Sequence, residues 1–464
     1  MKKTTIILVL TAVIIIGIGI TISVTAEKDS VIYVATNGND EQNGTKSQPY
    51  LTLNKAASEA KAGTIVYLRE GTYKEKLVVQ HSGTKSRPVV FQPYKQEKVV
   101  LSGESLLNEE GDTALVTIDN QSHITIRGLT IEGLTTDLAD ETVMGMYVTG
   151  TSSHITLENN HVHSVETHSD DGNAHGIAVY GTGPMSDINI LHNTVEDLKL
   201  GASEALVLNG DIDGFRVEDN LVRRNDNIGI DLIGYEGVSP DDDYVRNGIV
   251  KNNEIHNISS FGNPAYGEDY SAGGIYVDGG KDIIIEENTI YKSDIGIEVT
   301  SEHAGKYAEN IEVLNNTVYE NFYTGISIGG YDEERGGTIN STISQNTMYR
   351  NDTVGLDGGQ LLIQHDTRNN VIEKNILTAG SSRLFIANYF TTNQNNTLSR
   401  NVFDKEEGKG AIWVWKDEEY TLFPAFKAAS ESDEESDYLE VNYINPEEGD
   451  FQLEENSPAA EVIE

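Results

Sequence analysis

Apolar and polar residues alternate along most of the chain in short runs that are typical of β-strands. One pattern recurs nine times: an apolar residue, two variable residues, an asparagine, one further variable residue and a second apolar residue. The asparagines are spaced 26 to 35 residues apart, which predicts a solenoid with one coil per repeat. They are Asn160, Asn193, Asn220, Asn253, Asn288, Asn316, Asn346, Asn375 and Asn401.

Most repeats contain a second strand that opens with glycine or alanine, as in Gly229–Ile233 and Gly274–Asp278. With a period of two, the second and fourth residues point into the core, and the third and fifth point outward. A single coil is too small to bury a core, so successive coils must stack. Each asparagine is then expected to hydrogen-bond the next coil. The sequence therefore predicts an all-β, single-domain parallel β-helix.

The two ends of the chain differ from the repeats. Lys2 and Lys3 precede a long apolar run, so residues 1–26 are interpreted as a signal peptide, with an uncleaved N-terminal anchor as the alternative. The β-helix is predicted over 27–403. Within it, residues 51–62 form a short helix that caps the first coil. Residues 404–464 are predicted to be a C-terminal tail that caps the last coil.

Charge and cysteine content exclude several classes of protein. The 464 residues include 33 Lys and Arg against 74 Asp and Glu, for a net charge of −41, and no cysteine. Disulfides and thiolate chemistry are therefore excluded. Nucleic-acid binding is disfavoured because it depends on clustered basic residues. We expect a monomer that contacts a membrane only if the N-terminal segment is uncleaved.

Several motifs near the ends resemble those of secreted right-handed β-helix proteins, notably pectate lyases of polysaccharide lyase family nine. The motifs are Tyr33 to Asp40, Gly44-Thr45, Pro49-Tyr50, Gly63 to Tyr73, Gly449 to Leu453 and Ser457-Pro458. The resemblance implies a right-handed helix, a secreted or cell-surface location, and calcium-assisted β-elimination at a uronic acid residue. It also implies aspartate ligands and a lysine or arginine base. The segment Asn225–Asp231 matches the calcium motif only in part, because it lacks the adjacent aspartate pair.

Three acidic residues occupy outward positions on successive coils: Asp231, Asp278 and Glu298. The register places neighbouring members about 8 Å apart between Cα atoms, so they share one face. We predict that they bind calcium, since carboxylates suit a hard cation and stacked like charges need compensation. Paired carboxylates for glycoside hydrolysis and a solvated acidic ridge are the alternatives.

The loops around this strand stack are long and polar: 234–248, 258–273 and 300–310. They suggest a binding groove, and nearby tyrosine rings could pack on sugars. The predicted substrate-binding residues are Tyr235, Tyr244, Tyr266, Tyr276 and Tyr307. Arg246 and Lys306 are the preferred candidate bases, and Asp278 is also assigned to the catalytic group.

These observations favour an extracellular carbon–oxygen lyase that cleaves a pectate-like polysaccharide with calcium. A glycoside hydrolase acting on a neutral glycan is the first alternative, because a polyanionic substrate should be repelled by so acidic a chain. A non-catalytic glycan-binding surface protein is the second alternative.

Overall fold

The computed structural model describes residues 30–106, 111–405, 408–431 and 435–463, so the predicted export segment lies outside the described residues. The described chain forms a parallel β-helix, as predicted, and winds into about 13 coils with few helical residues. Within these ranges, we found no helix with both the length and the apolar character needed to cross a membrane.

Three parallel sheets, here named A, B and C, form the walls of the solenoid. Sheet A contains Leu77–Val79, Thr113–Asp119, Thr142–Thr149, the first parts of Asn173–Leu191 and Leu206–Glu218, Ile230–Ile233, Gly273–Asp278, Ile295–Thr300, Thr324–Ile328, Leu361–Ile363, Leu384–Asn388 and Ile412–Trp415. Sheet B contains Ser30–Val34, Thr64–Leu68, Val89–Pro93, Ser122–Arg127, Ser153–Glu158, the later parts of the same two long strands, Val245–Lys251, Lys281–Glu286, Tyr307–Leu314, Gly337–Ile339, Thr342–Ser344, Thr367–Arg368, Val371–Glu373 and Thr397–Ser399.

Sheet C contributes one short strand per coil. Its strands are Gly71–Tyr73, Val99–Ser102, Thr130–Glu132, His161–His163, Thr194–Glu196, Leu221–Asn225, Glu254–Ile258, Thr289–Tyr291, Thr317–Tyr319, Thr347–Tyr349, Ile376–Thr378, Val402–Asp404 and Asp437–Leu439. Glu418–Tyr420 adds an antiparallel strand to the end of sheet A by pairing with Ile412–Trp415. Outside the three main stacks lie the short strands Thr135–Thr136, Glu166–Thr167, Tyr443–Asn445 and Asp450–Leu453 and the 3-10 turn Pro446–Glu448.

The core is a set of apolar rows that run along the solenoid axis. Ile230, Ile275, Ile297 and Ile326 lie opposite one another on successive strands of sheet A, and all four are fully buried. β-Branched residues suit such strands because their stiff side chains pack well on a pleated surface. Burial of these rows is the main stabilising contribution to stacking the coils.

The nine repeat asparagines form a continuous buried ladder. The backbone N–H of each donates to the side-chain oxygen of the next at 2.8 to 3.1 Å, from Asn160 through Asn401. The side-chain amide also donates to a backbone carbonyl of the preceding coil, as from Asn253 to Val217 at 2.9 Å. The ladder therefore satisfies buried backbone groups at a turn that neither neighbouring sheet covers.

A left-handed residue comes immediately before each ladder asparagine. The nine residues have φ between 53° and 59°, although none of them is glycine. They are Asn159, His192, Asp219, Asn252, Glu287, Asn315, Gln345, Lys374 and Arg400. Because this conformation costs roughly 1 kcal/mol for an ordinary residue, the hydrogen bonds of the ladder hold it in place.

Different segments cover the two ends. Helix α1, Leu53–Glu59, lies within the predicted range 51–62 and buries Leu53, Ala56 and Ala57 against the first coil. The sheets extend beyond residue 403, where we predicted the solenoid to end, because Asp437–Leu439 pairs with Val402–Asp404.

Helix α2, Phe423–Ser430, covers the final coil by burying Phe426 against Trp413, with ring centroids 5.7 Å apart. The last residues, including helix α3, Ala460–Ile463, lie along the side of the solenoid. There the Phe451 ring packs on Tyr349 at 4.9 Å.

Asn253→Ala should lower the free energy of unfolding by about 3 kcal/mol, because two N–H donors of Asn220 and the Val217 carbonyl lose their partner in the core. Urea denaturation followed by circular dichroism measures the change. Asn189→Ala is the matched control, because the Asn189 side chain bonds only Asp187 within its own turn. Equal stability of the two variants would contradict a structural role for the ladder.

Candidate functional site

One outward row of sheet A brings together residues that the chain separates by about a hundred positions. Asp231, Tyr276, Glu298 and Ser327 lie directly opposite one another on successive strands. A close approach between coils sets this spacing, since a Cβ on Gly296 would lie 2.4 Å from the next coil's carbonyl. Small residues at the strand starts therefore let the row form.

The three predicted metal ligands lie on this face. Asp231 and Glu298 flank Tyr276, while Asp278 lies two residues beyond Tyr276 on the same strand, opposite Thr300. Their exposed fractions are only 2%, 4% and 6% for Asp231, Asp278 and Glu298. The trio is therefore buried and does not form a solvated acidic ridge.

Burial and mutual repulsion raise the pKa of all three carboxyl groups. Burial, with repulsion from Glu302, raises the pKa of Glu298 from 4.5 to about 8. Burial, followed by repulsion from neighbouring acids, also raises the pKa of Asp231 and Asp278 well above the usual value of 3.8. Glu204 on the preceding coil behaves in the same way, with a pKa of about 8 that is caused mainly by burial. At neutral pH, Glu298 therefore carries a proton that it could donate.

A cavity of about 510 Å³ opens above the Glu298 end of this row. Loops that precede and follow the strands of sheet A form its walls. Its polar lining includes Glu298, Glu302, Tyr266, Tyr276, Tyr323 and Gln364. The Tyr276 hydroxyl donates to Glu302 at 3.1 Å, and the Glu302 N–H donates to Asp278 at 2.6 Å. These bonds link Asp278, Glu302 and Tyr276 into one network at the cavity.

Large exposed apolar side chains concentrate around this cavity. Tyr331 and Leu356 line it, and Phe261 stacks on a further lining residue, Tyr270, at 4.7 Å. Five of the ten exposed large hydrophobic residues in the described part of the chain belong to this region: Phe261, Tyr331, Val354, Leu356 and Tyr389. Such a concentration is typical of a ligand-binding surface.

The two predicted bases lie outside the cavity lining. Arg246 lies on sheet B, where its guanidinium pairs with Asp211 at 2.8 Å. The Lys306 ammonium lies 4.7 Å from the centre of the Tyr235 ring. Among the described residues, no Lys, Arg or His lines the cavity. The assignment of either residue as a base stays a prediction.

Two of the five predicted sugar-binding tyrosines, Tyr266 and Tyr276, line the cavity. Tyr235 and Tyr244 instead pack on each other, with ring centroids 5.7 Å apart. Tyr307 lies on sheet B and donates to Asp366 at 3.2 Å. The structure therefore places the five tyrosines in more than one region.

A second group of ligand atoms converges beside the cavity. One ligand atom each from Glu236, Asp278 and His303 lies within 4.8 Å of the others, and His303 Nε2 lies 2.9 Å from Glu236. Among the described residues, this is the group whose ligand atoms lie so close together. The ligand atoms of Asp231, Asp278 and Glu298 do not converge in this way. Its mixed imidazole and carboxylate donors suit a transition metal better than calcium, which prefers oxygen ligands. The residues present therefore fit calcium poorly.

Sequence reasoning missed several residues at the site. Glu302 lies within the loop 300–310 that was singled out as part of a groove, but no periodicity marks it. Tyr323 and Gln364 come just before and just after strands of sheet A, where the alternation ends. Residues of this kind are recognised only once the structure shows that they lie next to the cavity.

Comparison with known proteins gives matches along most of the chain. A family model described as "Pel9A-like, right handed beta helix region" matches residues 32–218. A second, "Right handed beta helix region", matches residues 271–422. Both descriptions agree with the parallel sheets and give the handedness of the coil.

Two curated relatives and one solved structure show how far this similarity extends. "Uncharacterized protein YwoF" of Bacillus subtilis is 55% identical over 433 residues, which cover 93% of this chain and 92% of that protein. "Pectate lyase PEL9" of Emericella nidulans is 37% identical over 83 residues, 18% of this chain and 20% of that protein. The GH136 lacto-N-biosidase of Eubacterium ramulus has a TM-score of 0.55 at 12% identity, covering 89% of this chain and 68% of that one, which shows a shared fold.

Stability should fall as pH rises, because of Glu298. Below about pH 4.5 its carboxyl is protonated in folded and unfolded chains alike. Between about pH 4.5 and about pH 8 only the unfolded chain releases the proton. Over that window this group lowers the free energy of unfolding by about 1.4 kcal/mol per pH unit.

Glu298→Gln removes the titrating group, so the variant should lose less stability than the wild type over the same pH window. Urea denaturation at about pH 5, 6 and 7.5, all about half a unit or more inside the window, measures the difference. Glu312→Gln, at an exposed strand position, is the control and should behave as the wild type. Parallel curves for wild type and Glu298→Gln would show that Glu298 ionises normally.

Proposed function

The chain belongs to the right-handed parallel β-helix proteins of the pectate lyase type, and on that basis we propose that it cleaves glycans in the cavity above Glu298. The observation that carries the proposal is the pairing of a protonated, buried carboxyl with a second carboxyl in a tyrosine-lined cavity. We also propose that the protein acts outside the cell or on its surface, as a monomer, as the predicted export segment suggests.

Hydrolysis of a neutral glycan is the reaction that this lining supports best. Glu298 acts as the general acid and protonates the leaving oxygen, because its raised pKa keeps the proton in place at neutral pH. Glu302, which is exposed and lines the same cavity, activates a water molecule as a general base or attacks the sugar carbon as a nucleophile. Asp278 accepts the Glu302 N–H and so positions that loop.

The charge of the cavity supports a neutral substrate. Its lining includes the carboxyl groups of Asp269, Glu298 and Glu302, and in the described part of the chain no basic residue lines it. A uronate would bring a further negative charge into this lining, whereas tyrosine faces and amide groups bind neutral sugar rings well.

β-Elimination at a uronate is the second candidate, and the similarity of part of the chain to "Pectate lyase PEL9" supports it. In this candidate, a cation would be held by Glu236, Asp278 and His303, whose mixed imidazole and carboxylate donors suit a transition metal better than calcium. Lys306 or Arg246, the predicted bases, would remove the C5 proton of the uronate, and the bond between C4 and the leaving oxygen would break.

Glu298→Gln should lower kcat for a neutral polysaccharide by at least roughly 100-fold, because the amide cannot donate a proton to the leaving oxygen. Release of reducing ends from a panel of neutral polysaccharides measures turnover, with Glu312→Gln as the control. Activity of the wild type should also decline above about pH 8, as Glu298 loses its proton. Full activity of Glu298→Gln would exclude it as the acid.

A uronate panel, assayed with calcium or with chelator, separates the remaining candidates. Ultraviolet-absorbing unsaturated ends that disappear with chelator and in Asp278→Asn indicate elimination. Reducing ends without such absorbance indicate hydrolysis. Binding without either product indicates a non-catalytic glycan-binding protein and would contradict the proposed enzymatic function.

A further inference from the structure

A cluster of aromatic side chains lies on sheet B at the N-terminal end of the solenoid, on a different sheet from the cavity floor. The rings of Tyr33, Tyr67 and Tyr94 contact one another in pairs, with centroids 5.4 to 5.5 Å apart. Tyr33 and Tyr67 lie directly opposite each other on the first two strands of this sheet. All three rings are half-buried, so the cluster also presents a surface to solvent.

Basic side chains surround the same cluster. The Lys46 and Lys95 ammonium groups lie 4.6 Å and 5.5 Å from the centre of the Tyr94 ring, and the Arg69 guanidinium carbon lies 5.3 Å from it. Arg69 is paired with Glu97, and Lys46 donates to the Tyr94 hydroxyl at 2.8 Å. Both lysines are exposed. We call Tyr33, Tyr67, Tyr94, Lys46 and Lys95 the N-terminal platform.

The charge of this end of the molecule differs from that of the rest. Residues 30–106 contain ten Lys and Arg against seven Asp and Glu, which gives a net charge of +3 in a chain whose total is −41. A polyanion is repelled by most of this surface and attracted to the first coils. This uneven distribution of charge therefore favours the first coils as the place where an acidic ligand binds.

We propose that the N-terminal platform binds an acidic polysaccharide, separately from the cavity. Sugar rings would pack on the tyrosine faces, and their carboxylates would pair with Lys46 and Lys95. Nucleic acid is a poorer occupant, because its binding depends on many cations along a dense line of phosphates. The platform would hold the protein on an acidic matrix while the cavity acts on another chain.

Affinity electrophoresis in native gels that contain polygalacturonate tests the proposal. The chain carrying Glu298→Gln is used throughout, so that any turnover in the cavity does not alter the gel. We expect retardation by polygalacturonate, little retardation by neutral dextran, and weakening with added salt. Tyr67→Ala should raise the apparent Kd roughly tenfold and Lys95→Gln roughly threefold.

Two matched variants serve as controls. Lys85→Gln removes the same charge from an exposed position before the strand Val89–Pro93, whereas Lys95 follows that strand, and it should bind as the parent does. Tyr67→Phe keeps the ring and should also bind normally. Circular dichroism checks that Tyr67→Ala remains folded.

Three outcomes would contradict the proposal that the platform binds an acidic polysaccharide. They are no retardation by acidic polysaccharide, equal retardation of Tyr67→Ala and its parent, and tighter binding to single-stranded DNA than to polygalacturonate. Turnover of a small neutral oligosaccharide by Tyr67→Ala without the Glu298 change should equal that of the wild type. This second readout separates failure of the platform from failure of the cavity.

Discussion

The register between coils is the constraint on which the rest of the structure depends. Buried asparagines fix it at one turn, and the apolar rows fix it in the core. A shift of one residue would exchange the inward and outward faces of every strand. Because the register is kept, Asp231, Tyr276 and Glu298 project side by side although distant in sequence.

The same regularity has an electrostatic cost at the site. Stacked strands bring carboxyl groups close together on a buried face, which raises the pKa of Asp231, Asp278 and Glu298. A carboxyl that stays protonated in the folded chain lowers the free energy of unfolding at neutral pH, because the same group ionises freely in the unfolded chain. The protonated form is nevertheless the one that a general acid needs. Stability and reactivity are therefore opposed at Glu298.

Charge is also distributed unevenly along the axis. Weakly basic first coils precede a strongly acidic remainder, and the aromatic platform and the acidic cavity lie on different sheets. A solenoid permits this separation because each coil contacts only its neighbours, so ends and faces can carry different ligands. The shared fold by itself does not fix the chemistry, as a lyase and a lacto-N-biosidase among the matched proteins illustrate.

The sequence alone determined the solenoid, the asparagine ladder, the helix near residues 53–59 and the outward face of Asp231, Asp278 and Glu298. All of these follow from local periodicity, which is visible in one repeat at a time. Tertiary structure alone decided that Glu302 and Tyr323 join Glu298, that Arg246 instead pairs with Asp211, and that helix α2 covers the last coil. Loops of unequal length set these contacts. Their paths depend on packing against neighbouring coils, and such packing leaves no periodic pattern in the sequence.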